Sequence, residues 1–157
     1  MALESILLPT PFGRALEIHA GEHGIVAAAW CSKPQVVTPR RVTHPMLREA
    51  ASQITAYFAR RLKRFDLPLE LSGTAFQIEI WQAVAELEVG QIVSYADVAR
   101  ALDRPQAHRS VAAAMSKAPL ALLIPAHRVV GADGLIKGAA PNSMRRRLLA
   151  FEGATLR

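Results

Sequence analysis

The chain has 157 residues, 51% of them hydrophobic, enough for one compact core or two small ones. No apolar run approaches the roughly 20 residues that cross a bilayer, so no membrane partner is expected, and the single cysteine, Cys31, excludes an internal disulfide framework. The net charge of +6 favours an anionic partner such as nucleic acid; residues 1–71 hold nine Lys/Arg against six Asp/Glu and residues 72–157 hold ten against seven, so charge does not choose between the halves.

The front of the chain alternates extended segments with turn residues. Residues 3–8, 15–18 and 25–30 predict a small antiparallel sheet, punctuated by Phe12-Gly13 and by residues 20–24 with Gly21 and Gly24. Residues 32–43, with Pro34 and Pro39, predict irregular backbone. Pro45 suits the first turn of a helix on which Leu47, Ala50, Ile54, Tyr57 and Phe58 share one face. Residues 65–69 predict a connector, because Pro68 disfavours helix at the residue before it.

From Gly73 the pattern turns helical, with Phe76, Ile80, Val84 and Leu87 as a buried stripe that Gly90 ends. Ser94 is the N-cap of a short helix carrying Tyr95, Val98, Ala99 and Leu102, and Asp103-Arg104-Pro105 turns the chain into a second helix over residues 107–117. Two short helices joined by a tight turn predict a helix-turn-helix. Residues 129–135 predict a hairpin, and Asn142 or Ser143 caps a last helix that reaches Phe151 and stops at Gly153. The fold class expected is α+β, with a domain over residues 1–70 and a mostly helical one over 71–157.

Ile124-Pro125-Ala126-His127-Arg128-Val129-Val130 resembles the Pro-Cys-His-Arg-Val reaction-centre signature of the O6-alkylguanine-DNA alkyltransferases, with alanine where the reacting cysteine stands. The resemblance extends through Gly73-Thr74-Ala75-Phe76-Gln77, Ile80-Trp81-Gln82-Ala83-Val84, Gly90-Gln91-Ile92-Val93-Ser94-Tyr95, Ala107-His108-Arg109-Ser110-Val111 and Leu148-Leu149-Ala150-Phe151-Glu152-Gly153. Thr10-Pro11-Phe12-Gly13 and His44-Pro45-Met46-Leu47 agree with it in the front part. It implies an RNase H-like front domain followed by a DNA-binding domain.

The resemblance also assigns roles. The helix over 107–117 lies in the minor groove, Arg109 takes the place of a base rotated out of the stack, and Ala112 gives a slim approach. Ser94, Tyr95 and Arg128 complete the DNA-contacting set, Arg128 matching a structural arginine beside the active site for which backbone carbonyls are the alternative to phosphate, while Tyr95, Ala126, Val129, Ala139 and Ala140 line the pocket for the alkylated base. His127 and Glu152 correspond to the relay that draws a proton from the cysteine. Alanines at 118 and 139, where the family has an asparagine and an aromatic, are further departures. Arg145-Arg146-Arg147 reads as a solvated helix face, with phosphate contact as the second reading, and the histidines show no metal-ligand spacing.

Transfer of an alkyl group needs a thiolate, and a methyl side chain has no lone pair to offer. The expectation is therefore a non-enzymatic, alkyltransferase-like protein that binds O6-alkylguanine in double-stranded DNA as a monomer, flips it, and marks it for nucleotide excision repair proteins, with His127 and Glu152 vestigial. Expected localisation is cytoplasmic, on the nucleoid, with no cofactor and no metal. The alternative is a methylated-DNA–protein-cysteine methyltransferase whose nucleophile has been exchanged, and a third reading is a helix-turn-helix regulator of undamaged sites.

Overall fold

The structure is a computed structural model that describes residues 4–31, 42–132 and 143–153. Three strands, β1 (Glu4–Leu8), β2 (Leu16–Ala20) and β3 (Ile25–Trp30), form an antiparallel sheet in the order β1-β2-β3. Alternation sets its faces: Leu16, Ile18 and Ala20 of β2 are buried, whereas Glu17 and His19 between them are half-buried and meet in a close side-chain contact. The helix α1 (Pro45–Phe58) packs on β2 through Leu47, Ala50, Ile54 and Tyr57, and the His44 ring accepts the Met46 N–H at 3.2 Å to cap it. Phe58, expected on the same buried face, is half-buried and meets Phe12 edge-on.

The connector over 65–69 returns to the sheet. Ile25 donates its N–H to the Pro68 carbonyl at 2.8 Å and accepts from Glu70 at 2.9 Å. That contact explains Gly24, where an added Cβ would stand 2.7 Å from the Pro68 carbonyl oxygen. By compactness, Met1–Ser72 groups with Pro119–Leu123, and Gly73–Ala118 groups with Ile124–Arg157. The Pro119–Leu123 segment lies along β3, with Ala121 donating to the Ala28 carbonyl at 2.9 Å. Leu122 there holds φ +70°, a left-handed conformation unfavourable for a residue with a Cβ.

The second unit begins with α2 (Ala75–Ala85), closed at its start by a reciprocal cap in which Thr74 and Gln77 bond each other's backbone N–H at 3.1 and 3.0 Å. Ile80, Trp81 and Val84 are its buried residues; Phe76 and Leu87, expected in the same stripe, are only half-buried. The Arg104 guanidinium covers the Phe76 ring at 4.5 Å instead. After β4 (Val93–Ser94) come α3 (Tyr95–Ala101) and α4 (His108–Ser116), which pack on each other as the expected pair of short helices.

A 3-10 turn over Ala126–Arg128 leads into β5 (Val129–Val130), and α5 (Met144–Phe151), capped by Ser143, closes the unit. The hairpin expected over 129–135 is not what the described part shows. Val129 and Val130 pair in parallel with Val93 and Ser94, and residues 133–135 lie outside the described residues. The α+β expectation holds: a three-stranded antiparallel sheet with a helix, then a helical domain. No described helix is long and apolar enough to cross a membrane.

Candidate functional site

The two-residue ladder of β4 and β5 decides which residues meet. By registering Val93 on Val129 and Ser94 on Val130, it sets the start of α3 beside the strand that follows the 126–128 turn. Ser94 is committed locally: its hydroxyl accepts the Asp97 N–H at 3.0 Å while the Asp97 carboxylate accepts the Ser94 N–H at 2.9 Å. This cap fixes Tyr95 at the first position of α3, where its side chain is buried. Val129 is fully buried behind the turn.

Ala126 is buried on the 3-10 turn, one residue before the imidazole of His127. His127 Nε2 lies 2.7 Å from Glu152 Oε2, and both side chains are 1% exposed. Arg128 binds the same carboxylate with two nitrogens, Nε to Oε1 at 3.0 Å and Nη2 to Oε2 at 2.9 Å, and donates Nη1 to the Leu87 carbonyl at 2.7 Å. Burial of the imidazole dominates its titration and holds it below the ordinary histidine range; Glu152 opposes this, and the Arg128 and Arg145 charges reinforce it. His127 is therefore neutral at pH 7, and its acceptor partner assigns the proton to Nε2, which leaves Nδ1 as the proton-accepting nitrogen.

Of the two partners expected for Arg128, phosphate and backbone carbonyl, it takes the carbonyl: it is 1% exposed and its guanidinium is spent on Glu152 and Leu87. The basic run is solvated only in part: Arg147 is exposed, whereas Arg145 and Arg146 are half-buried, Arg145 donates to the Met115 carbonyl at 3.0 Å, and the Arg146 Nε is buried without a hydrogen-bond partner. Sequence reasoning missed the contacts of Arg145 and of Trp81, whose indole N–H reaches the Ala114 carbonyl at 2.9 Å. The one available signal was that three arginines in the first turn of a helix oppose its dipole and need another reason to be there.

Arg109 is exposed on the first turn of α4, and Ala112, one turn on, is half-buried. Ala139 and Ala140, expected in the pocket wall, lie outside the described residues. Cys31 follows β3 in the other unit, where burial and then the Glu17 carboxylate raise its thiol above the ordinary range. Among the described residues no group of three or more His, Cys, Asp or Glu could hold a metal ion.

The chain matches the family described as 6-O-methylguanine DNA methyltransferase twice, by its ribonuclease-like domain over residues 5–71 and by its DNA binding domain over residues 75–154. The chain belongs to the 6-O-methylguanine DNA methyltransferase family. It is 40% identical over 111 residues to a methylated-DNA–protein-cysteine methyltransferase of Methanosarcina barkeri, covering 70% of each chain. A protein of the same name from Mycobacterium leprae is 37% identical over 134 residues, 83% of this chain and 81% of that one. The crystal structure of Mycobacterium tuberculosis OGT in complex with DNA superposes with a TM-score of 0.76 at 31% identity, over 94% of this chain and 91% of that one.

These relatives overturn the expectation of a non-enzymatic, inactive family member, since they carry the names of enzymes. That expectation rested on one side chain. The likeness to transferases runs through both domains, and it favours the alternative stated from the sequence, an alkyltransferase with its nucleophile exchanged.

Proposed function

We propose that the chain is an O6-alkylguanine-DNA alkyltransferase in which position 126, the acceptor position, holds alanine in place of cysteine. The observation that supports this reading best is the histidine–carboxylate pair of the relay: a buried imidazole, its proton affinity lowered by burial, one residue from the acceptor position and oriented by a carboxylate that an arginine holds with two bonds. A thiol becomes a useful nucleophile only as thiolate, and a neutral histidine with an open nitrogen is the group that takes its proton.

In this reading phosphate contacts supply most of the affinity for duplex DNA and make it salt-dependent. α4 enters the minor groove, Arg109 fills the space of the rotated-out nucleotide, and Tyr95 helps to turn that nucleotide toward the 126–128 turn. The DNA complex of the mycobacterial relative supports the duplex as partner. With a thiol at position 126, the proton passes through water to His127 and the sulfur attacks the alkyl carbon. The carbon–O6 bond breaks with its electrons going to the base, and the alkyl group stays on the protein as a thioether, so each molecule acts once.

The test is the Ala126→Cys variant mixed with a duplex carrying O6-methylguanine. Stoichiometric methylation at position 126, lost again in Ala126→Cys with His127→Phe, is the expected result. No transfer by a folded Ala126→Cys protein that binds the duplex would defeat the proposal. A Cys31→Ser change added to Ala126→Cys leaves the yield unaltered if position 126 is the acceptor, and abolishes it if Cys31 is.

A further inference from the structure

The carbonyls that close α4 are held from two other helices. Trp81 of α2 donates to the Ala114 carbonyl at 2.9 Å, and Arg145 of α5 donates to the Met115 carbonyl at 3.0 Å. Backbone satisfaction does not require them, since the Lys117 N–H already points at both oxygens. A cation is favourable at the C-terminal end of a helix and unfavourable in the first turn of its own. Arg145 occupies both places at once, so its gain comes from α4 and not from α5, whose second residue it is.

We infer that Arg145 is a positioning residue: from the first turn of α5 it fixes the end of the helix that carries Arg109 to the helix that runs on to Glu152. The inference deepens the alkyltransferase reading and rests on it for the contact of α4 with DNA. The charged groups that act on His127 are Glu152, Arg128 and Arg145. Glu152 and Arg128 bind each other through two bonds. Burial does most to keep a second proton off the imidazole, and among the described residues the Arg128 charge and then the Arg145 charge add to it. The guanidinium thus joins the groove-facing helix to the proton acceptor without touching either substrate or thiol.

Three substitutions separate its two parts: Arg145→Lys keeps charge and donor, Arg145→Gln keeps a donor alone, and Arg145→Met keeps neither. In the unaltered chain, NMR titration of the His127 ring should move to higher pH in Arg145→Gln and Arg145→Met and stay in place in Arg145→Lys, a pattern that loss of packing alone does not produce. Retention on an O6-methylguanine duplex should fall about fivefold in Arg145→Met, the worth of one ordinary hydrogen bond, and stay within about twofold in the other two. If Arg145→Met does not fold, Arg145→Gln against Arg145→Lys still reads the charge. An identical His127 titration in all folded variants, or undiminished retention in folded Arg145→Met, overturns the inference. Failure of Ala126→Cys to transfer an alkyl group sinks the alkyltransferase reading instead, and leaves the His127 titration to decide this one.

Discussion

Arg128 and Glu152 form a two-bond pair, Nε on Oε1 at 3.0 Å and Nη2 on Oε2 at 2.9 Å, with both side chains out of water. Such a pair is costly to bury and adds little as a whole, but it is expensive to break from one side, because the survivor keeps its charge in a dry site. Glu152→Ala should therefore destabilise the protein by about 3–5 kcal/mol. Arg128→Met, which removes the charge but leaves Glu152 with His127, should cost less than Glu152→Ala. Urea unfolding of the two variants gives the comparison; a loss below about 1 kcal/mol for Glu152→Ala would mean that the pair is solvated in solution.

His127 adds a pH dependence whose sign follows from its environment. Burial, with Arg128 and Arg145 behind it, lowers its proton affinity in the fold below that in the unfolded chain. The unfolded state then binds more protons as pH falls below the ordinary imidazole value of about 6.5, so stability contributed by the neutral ring is complete above that pH and drains away as pH drops toward the folded value. Denaturation midpoints measured from pH 8 to pH 5 should decline, and His127→Phe should flatten that decline. A midpoint that rises on acidification would show the imidazolium–Glu152 attraction winning over burial.

Much of this was legible in the sequence, for identifiable reasons. The strands followed from turn residues between short extended segments, although β2 runs on to Ala20 where a turn was expected, and α1 followed from its three-and-four spacing; the Ser94 cap was readable because its partner Asp97 sits three residues on. The relay was legible only through resemblance, since nothing local pairs His127 with Glu152, 25 residues later. The choice for Arg128 between phosphate and backbone carbonyl stayed open because an arginine carries no mark in sequence of whether its charge is neutralised inside; the partner carbonyl of Leu87 lies 41 residues away. The parallel pairing of β4 and β5 was likewise hidden, as two-residue strands show no periodicity. The inference drawn from Ala126 gave one residue authority over a likeness that spans both domains.

Arg109 offers a clean separation of fold from function, because it is exposed on α4. Arg109→Ala should leave thermal stability within about 0.5 kcal/mol of the parent. Its preference for an O6-methylguanine duplex over an undamaged one should collapse, since no planar group remains to fill the vacated stack. Arg109→Lys should recover phosphate attraction without that preference, because an ammonium does not stack. Equal discrimination by Arg109→Ala and the parent in competition binding would remove Arg109 from the mechanism.

Cys31 supplies the last expected outcome. Its sulfur lies 3.7 Å from Glu17 Oε2, and burial followed by the Glu17 charge holds the thiol protonated beyond the ordinary range. Nucleophilic attack by sulfur depends on the thiolate fraction, so Cys31 should react with a neutral alkylating reagent more slowly at pH 7.5 than a free cysteine peptide, with the rate still climbing at pH values where the peptide has levelled off. Glu17→Gln removes the carboxylate charge while burial, the largest influence, remains, and should raise the rate at pH 7.5 without equalling the peptide. Reaction of the parent at the peptide's rate would mean that this thiol is ionised more readily than its surroundings allow, and the choice of position 126 over Cys31 as acceptor would lose its chemical basis.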